Sequence, residues 1–509
     1  MTRGASRIAR WLSFGFLCLY ALTAQRGVSW QDSGVFQLRI LYRDLYGTDG
    51  IALAHPLYVL LTHAFCALFG DFFSIEAPTA ANIASGIWMA MALWLFHDCA
   101  MRLSRSRAAA MLATLTLGFS HLAWWLSTIA EVYTLSLCLL LAEARCVIRL
   151  LQGERSRRLF VGAAAFSGLG FAVHNFALLS LPVTVGAIAI SIARQRHDNN
   201  TRISVPSFLL KTALLFVVWA SCAGLVLCPA LKLLAGGMAP GQVISELLVG
   251  KYGTQVAGRS SLSFGMTIAN FGIAAISLLS PCWLAGAVAL RRSFGRAASL
   301  GGFVRAISPA MRYTIALFLV HALFALRYRV PDQALFLLPT LSFAALLLAP
   351  LLSRIGKCGL LAPALLAVAT VVCGVAMPLA ANAVLHLPPL QNRIVASRGR
   401  ILPFRDEVRY WALPWKHDEN SAERFAAAAI EIMDAKGDAS LFADSTSAPP
   451  LSLRIENASL SWHLYTPWND CSRFTAEAIE GRQTFAVSPV PGYCPNAALA
   501  TGNVKPLFQ

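Results

Sequence analysis

This 509-residue chain is poor in charge: Asp, Glu, Lys and Arg make up 13% of it, against 57% hydrophobic residues. Soluble domains carry about a quarter charged residues, and disordered chains are poorer in apolar ones, so both classes are excluded. Acids are the scarcer sign, 25 against 42 Lys and Arg. Metal-ligand spacings are missing: there is no His-x-x-x-His and no Cys-x-x-Cys, so the sequence argues no metal site. No Gly-rich phosphate loop follows a strand-like run, which speaks against a soluble nucleotide-sugar enzyme. No convincing internal repeat is visible, the feature that many transporters show.

What the chain has instead is apolar runs, and its mean hydropathy of +0.60 marks an α-helical polytopic membrane protein. A crossing needs about 20 mostly apolar residues. Eleven candidates lie near 8–24, 80–98, 108–124, 129–148, 159–174, 176–193, 208–228, 264–290, 312–326, 333–352 and 359–380. Residues 55–70 are apolar too, and the basic residues arbitrate. If 55–70 does not cross, 22 of the 30 Lys and Arg before position 380 fall on one side. Counting it as a crossing would reverse the loops that follow it, so it is expected as a juxtamembrane helix in the outer interface. The formal net charge of +17 follows from this, because residues 1–380 carry 30 basic and 12 acidic side chains and the remainder 12 and 13. Topology alone explains the basic balance, and no nucleic-acid partner is expected.

Arg3, Arg7 and Arg10 precede an apolar run ending Ala21-Leu22-Thr23-Ala24. Leu22 breaks the small-x-small pattern of signal cleavage, so a retained first span is expected, its C-terminal end outside. Eleven crossings would leave the tail outside as well. The expected division is a transmembrane catalytic domain over 1–380 and a small soluble α/β domain over 381–509, where Pro388-Pro389 and a basic connector give way to mixed composition. Within the tail, 420–436 reads as a helix capped by Ser421 and ended by Gly437, and 441–443 as a buried strand. Ten of the twelve cysteines lie in or beside spans as small packing residues; Cys471 and Cys494 could pair in an oxidising compartment or stay as thiols. Asn457-Ala458-Ser459 fits a glycosylation acceptor, a triplet common by chance.

With that topology, one membrane face collects polar residues: Asp32, His55, His121, Trp124, Trp125, Glu131, Tyr133, His174, Asn175, Arg327, Arg329 and Asp332. Glu131 is the hardest to dismiss, since an ionisable group on a span costs a few kcal/mol unless it meets a partner or water. Asp32 could be a reactive acid at the bilayer edge or the cap of a helix starting at Ser33. His55 fits ligand binding or, equally, helix capping or a packed imidazole, and the pair His174-Asn175 fits ligand binding or a tight turn between spans. Trp124-Trp125 reads as an aromatic-belt anchor, with a substrate role as the alternative.

The series Asp32-Ser33-Gly34, Ala54-His55-Pro56, Asn82, Ala130-Glu131-Val132-Tyr133, Gly170 and His174-Asn175, in that order over roughly the first 180 residues, resembles the bacterial family of unknown function 2723. It is similar, too, to that family's eukaryotic relatives, the transmembrane protein 260 type of O-mannosyltransferase. One departure is local: relatives read His-Pro-Pro-Gly-Tyr where this chain has Leu57-Tyr58 after His55-Pro56. The resemblance implies the GT-C glycosyltransferase fold, with a long first outer loop carrying the catalytic acid, and a polyprenyl-phosphate-linked sugar as donor.

That chemistry needs these residue types. The acceptor hydroxyl must lose a proton as it attacks the anomeric carbon, and a carboxylate within hydrogen-bond reach can take it; Asp32 is the candidate base. Glu131 would stabilise the oxocarbenium-like transition state or orient the acceptor, by analogy with glycoside hydrolysis. The leaving phosphate gains charge, for which His55, His174, Arg327 and Arg329 are the expected partners, with Tyr133 and Asn175 as further substrate contacts. A single displacement inverts the anomeric carbon. A divalent cation shared by Asp32 and Glu131 stays open, as do the sugar and the acceptor, which could be a protein, a glycan or a lipid A-like molecule. The rival reading is a transporter or flippase of a lipid-linked sugar. Ala- and Arg-rich composition points to a bacterial inner membrane with the active face and tail in the periplasm.

Overall fold

The computed structural model describes residues 3–199, 205–256, 264–294, 307–353, 355, 359–398, 402–456, 460–466, 483–487 and 505–508. Cys471, Cys494 and Asn457 lie outside them. The first third is helical: α1 (Arg3–Thr23), α2 (Gln31–Tyr42), α3 (Pro56–Phe65), the single turn α4 (Asp71–Phe73), α5 (Ala77–Ser104), α6 (Arg107–Gly118), α7 (His121–Leu126), α8 (Tyr133–Leu151) and α9 (Arg157–Val173). Later helices include Pro309–Arg327 and Leu361–Leu385.

Among the described residues five helices are long and apolar enough to cross a membrane, Ile51–Gly70, Ala77–Ser104, Pro309–Arg327, Gln333–Leu352 and Leu361–Leu385, or up to seven if two pairs bent by 88° and 78° are each one span. The eleven expected spans are therefore not all of one kind. The run 108–124 breaks into α6 and α7 around Phe119 and Ser120. The run 129–148 begins as helix only at Tyr133 and carries Glu143 and Arg145, which lower its apolarity. Helix α8 is nonetheless buried on nearly every face, the signature of a helix at the centre of a bundle. Glu143 there is held by Ser180 and Thr184.

Residues 51–70 satisfy the length test as well, yet the chain around them leaves and returns to the same end of the bundle. Gly27, just past α1, donates its N–H to Thr79 Oγ1 at the start of α5 (2.8 Å), and Asn82 Nδ2 donates to the Gln25 carbonyl (3.0 Å). Two crossings would be needed between these points, and only one stretch there is long and apolar enough. The segment ends in an apolar ledge of rings, Phe65 on Phe69 (4.7 Å) and Phe72 on Phe73 (4.8 Å).

The tail contains a four-stranded parallel sheet in the order β2-β1-β3-β4, with β1 at Ala439–Ala443, β2 at His463–Tyr465, β3 at Gln483–Val487 and β4 at Lys505–Pro506. Helices Ser421–Asp434 and Ala448–Ile455 accompany it. The N-cap position of the first is Asn420, not Ser421, with no side-chain cap hydrogen bond; the Ser421 hydroxyl instead accepts from the Trp30 indole (2.8 Å). Its core is shared: Phe425, Leu441 and Leu451 pack with Val28, Trp30 and Leu38 from the first loop. Burying those apolar loop residues fixes the tail over the end of the bundle that carries Asp32.

Candidate active site

Trp30 is the N-cap of α2, which starts at Gln31, so Asp32 stands exposed inside the first turn and does not cap the helix. Gln31 is left-handed (φ 56°), a conformation that costs a non-glycine residue about 1 kcal/mol or more and is held only where the surroundings insist. Gly34 completes the motif for a steric reason: a Cβ there would lie 2.2 Å from the Ser29 carbonyl oxygen and 2.9 Å from Pro449 Cβ. The loop is tied down by Gln37, whose Oε1 accepts from Ser29 N (2.8 Å) and whose Nε2 donates to Asn82 Oδ1 (3.2 Å). That same Asn82 oxygen accepts the N–H of Ala130 (2.8 Å). One amide pair thus joins the Asp32 loop to the Glu131 loop across about a hundred residues of chain.

Glu131 lies between α7 and α8, outside both helices, and is 7% exposed. Ser33 Oγ donates to its Oε1 (3.1 Å), and its own N–H donates to Ser85 Oγ (3.2 Å). Burial first, then the charges of Asp32 and Asp332, push its carboxyl well above the usual carboxylate range, against the opposing Ser33 hydrogen bond. Asp32, Glu131 and Asp332 also all act electrostatically on Tyr133.

His55 caps α3 with Pro56 after it and is left-handed itself (φ 49°). Arg39 explains how: its guanidinium donates to the carbonyls of Asp44 (3.1 Å), Leu45 (2.9 Å) and Ala54, pinning the peptide just before His55. His55 Nδ1 meets the Val173 carbonyl (2.8 Å) and its ring lies 4.8 Å from that of His174, which lies 5.8 Å from Tyr133. Burial lowers both imidazoles, His174 to about 4. Leu57 and Tyr58, where relatives have Pro and Gly, are buried core residues. Glu131 acts on the Tyr58 hydroxyl.

The structure therefore brings Asp32, Glu131, Tyr133, His55 and His174 together. Asn175 adjoins His174 and acts on its ring as a side-chain hydrogen-bond partner, while its Nδ2 donates to the Leu248 carbonyl (2.6 Å). Arg327 and Arg329 are exposed on either side of the buried Tyr328; their loop also carries Asp332 to Glu131. His121, Trp124 and Trp125 seat the tail instead: they are 2–3% exposed, His121 Nε2 meets the Ala412 carbonyl (3.1 Å), and Trp125 stacks on Trp411 (5.1 Å). Covered by protein, they are not belt anchors. Among the described residues no group of three or more His, Cys, Asp or Glu could hold a metal ion.

Two tail residues that the sequence did not single out are buried here, and one of them, Arg405, reaches Gln31 beside Asp32. Arg405, 1% exposed and paired to Glu407 (2.5 Å), lies over the Tyr410 ring (4.3 Å) and places Nη1 3.5 Å from Gln31 Oε1. Lys416 is buried with its amine on the Tyr410 carbonyl (2.6 Å), and burial holds its pKa well below the ordinary lysine value. Gln37 had a legible signal, lying one helical turn beyond Ser33 on the same face of α2; Arg405 and Lys416 had none.

Residues 54–198 match the family profile of the protein O-mannosyl-transferase TMEM260 N-terminal domain. That interval contains His55, Asn82, Glu131, Tyr133, His174 and Asn175. Among solved structures the chain is similar to ArnT from Cupriavidus metallidurans bound to undecaprenyl phosphate, at 14% identity and a TM-score of 0.55, covering 99% of this chain and 90% of that one. The apo form of the same ArnT gives 15% identity, a TM-score of 0.53 and coverage of 94% and 91%. No curated protein sequence matches the chain. Residues 54–198 are thus similar to the TMEM260 N-terminal domain, as the motif resemblance implied, and the chain shares its overall fold with ArnT.

Proposed function

We propose that this GT-C protein is a glycosyltransferase that moves a sugar from a polyprenyl-phosphate-linked donor to a hydroxyl of a protein or glycan acceptor, with inversion, at the Asp32 end of its helices. In the topology that sorts the arginines this is the outer face, the periplasmic side of a bacterial inner membrane. The observation that carries the reading is the Ser33–Glu131 hydrogen bond (3.1 Å). It sets an exposed carboxylate, Asp32, beside a buried one, Glu131, at the mouth of a helix bundle whose fold is that of a lipid-phosphate-binding protein.

The two acids divide the work as their surroundings dictate. Asp32, exposed, takes the proton from the acceptor hydroxyl as its oxygen bonds to the anomeric carbon and the bond to the lipid phosphate breaks. Glu131, whose carboxyl burial and neighbouring acids push toward the protonated form, has less charge to offer a cationic transition state. It fixes Ser33, and through it the turn that aims Asp32. Arg327 and Arg329 supply countercharge to the departing phosphate. The test is purified protein in nanodiscs given a panel of undecaprenyl-phosphate hexoses, mannose first, with release of free lipid phosphate as readout. Turnover of one donor that Asp32→Asn abolishes is the expected result; full turnover by that variant removes Asp32 from the mechanism.

A further inference from the structure

His55 and His174 were expected, from sequence, as partners of the donor phosphate. Their hydrogen bonds say otherwise. His55 Nδ1 faces the Val173 carbonyl at 2.8 Å; a carbonyl only accepts, so this nitrogen carries the proton and Nε2 keeps a lone pair. His174 Nδ1 accepts the N–H of Phe176 at 3.1 Å, so it carries the lone pair and Nε2 the proton. Protonating His174 at Nδ1 would set two N–H groups against each other. Each ring thus spends its Nδ1 on the backbone, and the two Nε2 atoms, on rings 4.8 Å apart, differ in kind: one accepts and one donates.

We propose that His55 and His174 form an uncharged couple that recognises neighbouring hydroxyls of the transferred sugar, His174 Nε2–H donating to one and His55 Nε2 accepting from another. A lipid phosphate offers oxygen acceptors and would meet the His55 lone pair head-on, whereas a sugar hydroxyl both donates and accepts. Aromatic rings adjoin the pair, Phe36 5.7 Å from His55 and Tyr133 5.8 Å from His174, the residue type that packs against the C–H surface of a pyranose. Burial, which pushes both imidazoles toward the neutral form, agrees with this geometry. Phosphate recognition is thereby left to the arginines. The inference rests on the glycosyltransferase reading and names which part of its donor these residues select.

His55→Asn and His174→Asn test it cleanly. At 55 the Asn amide can still donate to Val173 and tolerates a left-handed backbone; at 174 its Oδ1 can still accept from Phe176. Each deletes only the ε nitrogen. Affinities are measured on the full-length protein in nanodiscs for bare undecaprenyl phosphate and for the same lipid phosphate bearing mannose, glucose or galactose. Each variant should bind the preferred sugar-bearing lipid about tenfold more weakly, the loss of one neutral hydrogen bond, while bare lipid phosphate stays within about twofold. Equal weakening of both ligands, or of neither, overturns the inference, as does wild-type protein that binds bare lipid and no sugar-bearing form better. If His55→Asn loses both ligands, His55→Gln decides: it keeps an acceptor near the ε position, so recovery of the sugar-bearing lipid supports the couple and no recovery overturns it. Wild-type protein that binds neither ligand refutes the glycosyltransferase reading itself.

Discussion

The two ends of the α5–α8 pair surround their buried acids, Asp98 and Glu131, differently. At the Arg102 end, Asp98 accepts from Arg102 (3.2 Å) and Arg145 (2.5 Å), and Glu154 from Arg102 (2.7 Å) and Arg149 (2.6 Å). Each carboxylate there has cations against its oxygens, and the group staples α5, α8 and the turn before α9 together. At the other end the charges that act on Glu131 come from Asp32 and Asp332, both acids. Like charges gathered around a buried carboxyl cost stability, and a fold keeps such a cluster where it serves chemistry. Backbone strain follows the same division: Gln31 and His55 are left-handed at the Asp32 end, within and beside the motifs. At the Arg102 end the left-handed Arg105 only terminates α5.

Matched substitutions would break that contrast if it is wrong. Asp32→Asn should lower sugar transfer by about 10²–10⁴-fold, the usual worth of a positioned base, while protein yield and lipid-phosphate affinity stay normal. Asp98→Asn should do the reverse. It removes a carboxylate that two partly exposed arginines share, and the expected cost is about 2 kcal/mol of stability, seen as a lower melting temperature with transfer per folded molecule unchanged. Loss of transfer in Asp98→Asn at full stability would mean that the two ends are not separate in function.

How much of this could be read beforehand depends on distance along the chain. The helical membrane class was legible because apolar run length is a local property, and the motifs carrying Asp32, His55, Glu131 and His174 could be singled out because each is a short local pattern. The roles of Trp124 and Trp125 were not. An interfacial tryptophan pair looks the same whether lipid or protein covers it, and here residues 410–415, almost three hundred positions later, cover it. Span number also resisted, since the breaks near Phe119 and between Cys222 and Gly224 arise within continuous apolar sequence. The protonation of Glu131 depends on Asp32 and Asp332, and only folding sets those within reach.

The smallest effect sharpens the comparison most. Glu131→Gln keeps an oxygen that can accept from Ser33 and removes only the ability to ionise. If Glu131 positions Ser33 as a neutral acid, transfer should fall by less than about tenfold, far short of the Asp32→Asn loss. Its effect on stability has a definite sign. The unfolded chain releases the Glu131 proton near the usual carboxylate pKa of about 4.3, while the folded chain, whose pKa is raised, holds it. Above that pH the folded state binds more protons than the unfolded one, so wild-type stability falls as pH rises toward the folded pKa. Glu131→Gln removes this contribution, and its melting temperature should decline less between pH 5 and 8 than that of the wild type. Parallel melting curves together with a transfer loss as deep as that of Asp32→Asn would show an ionised Glu131 acting on the transition state, and the division of labour between the two acids would be wrong.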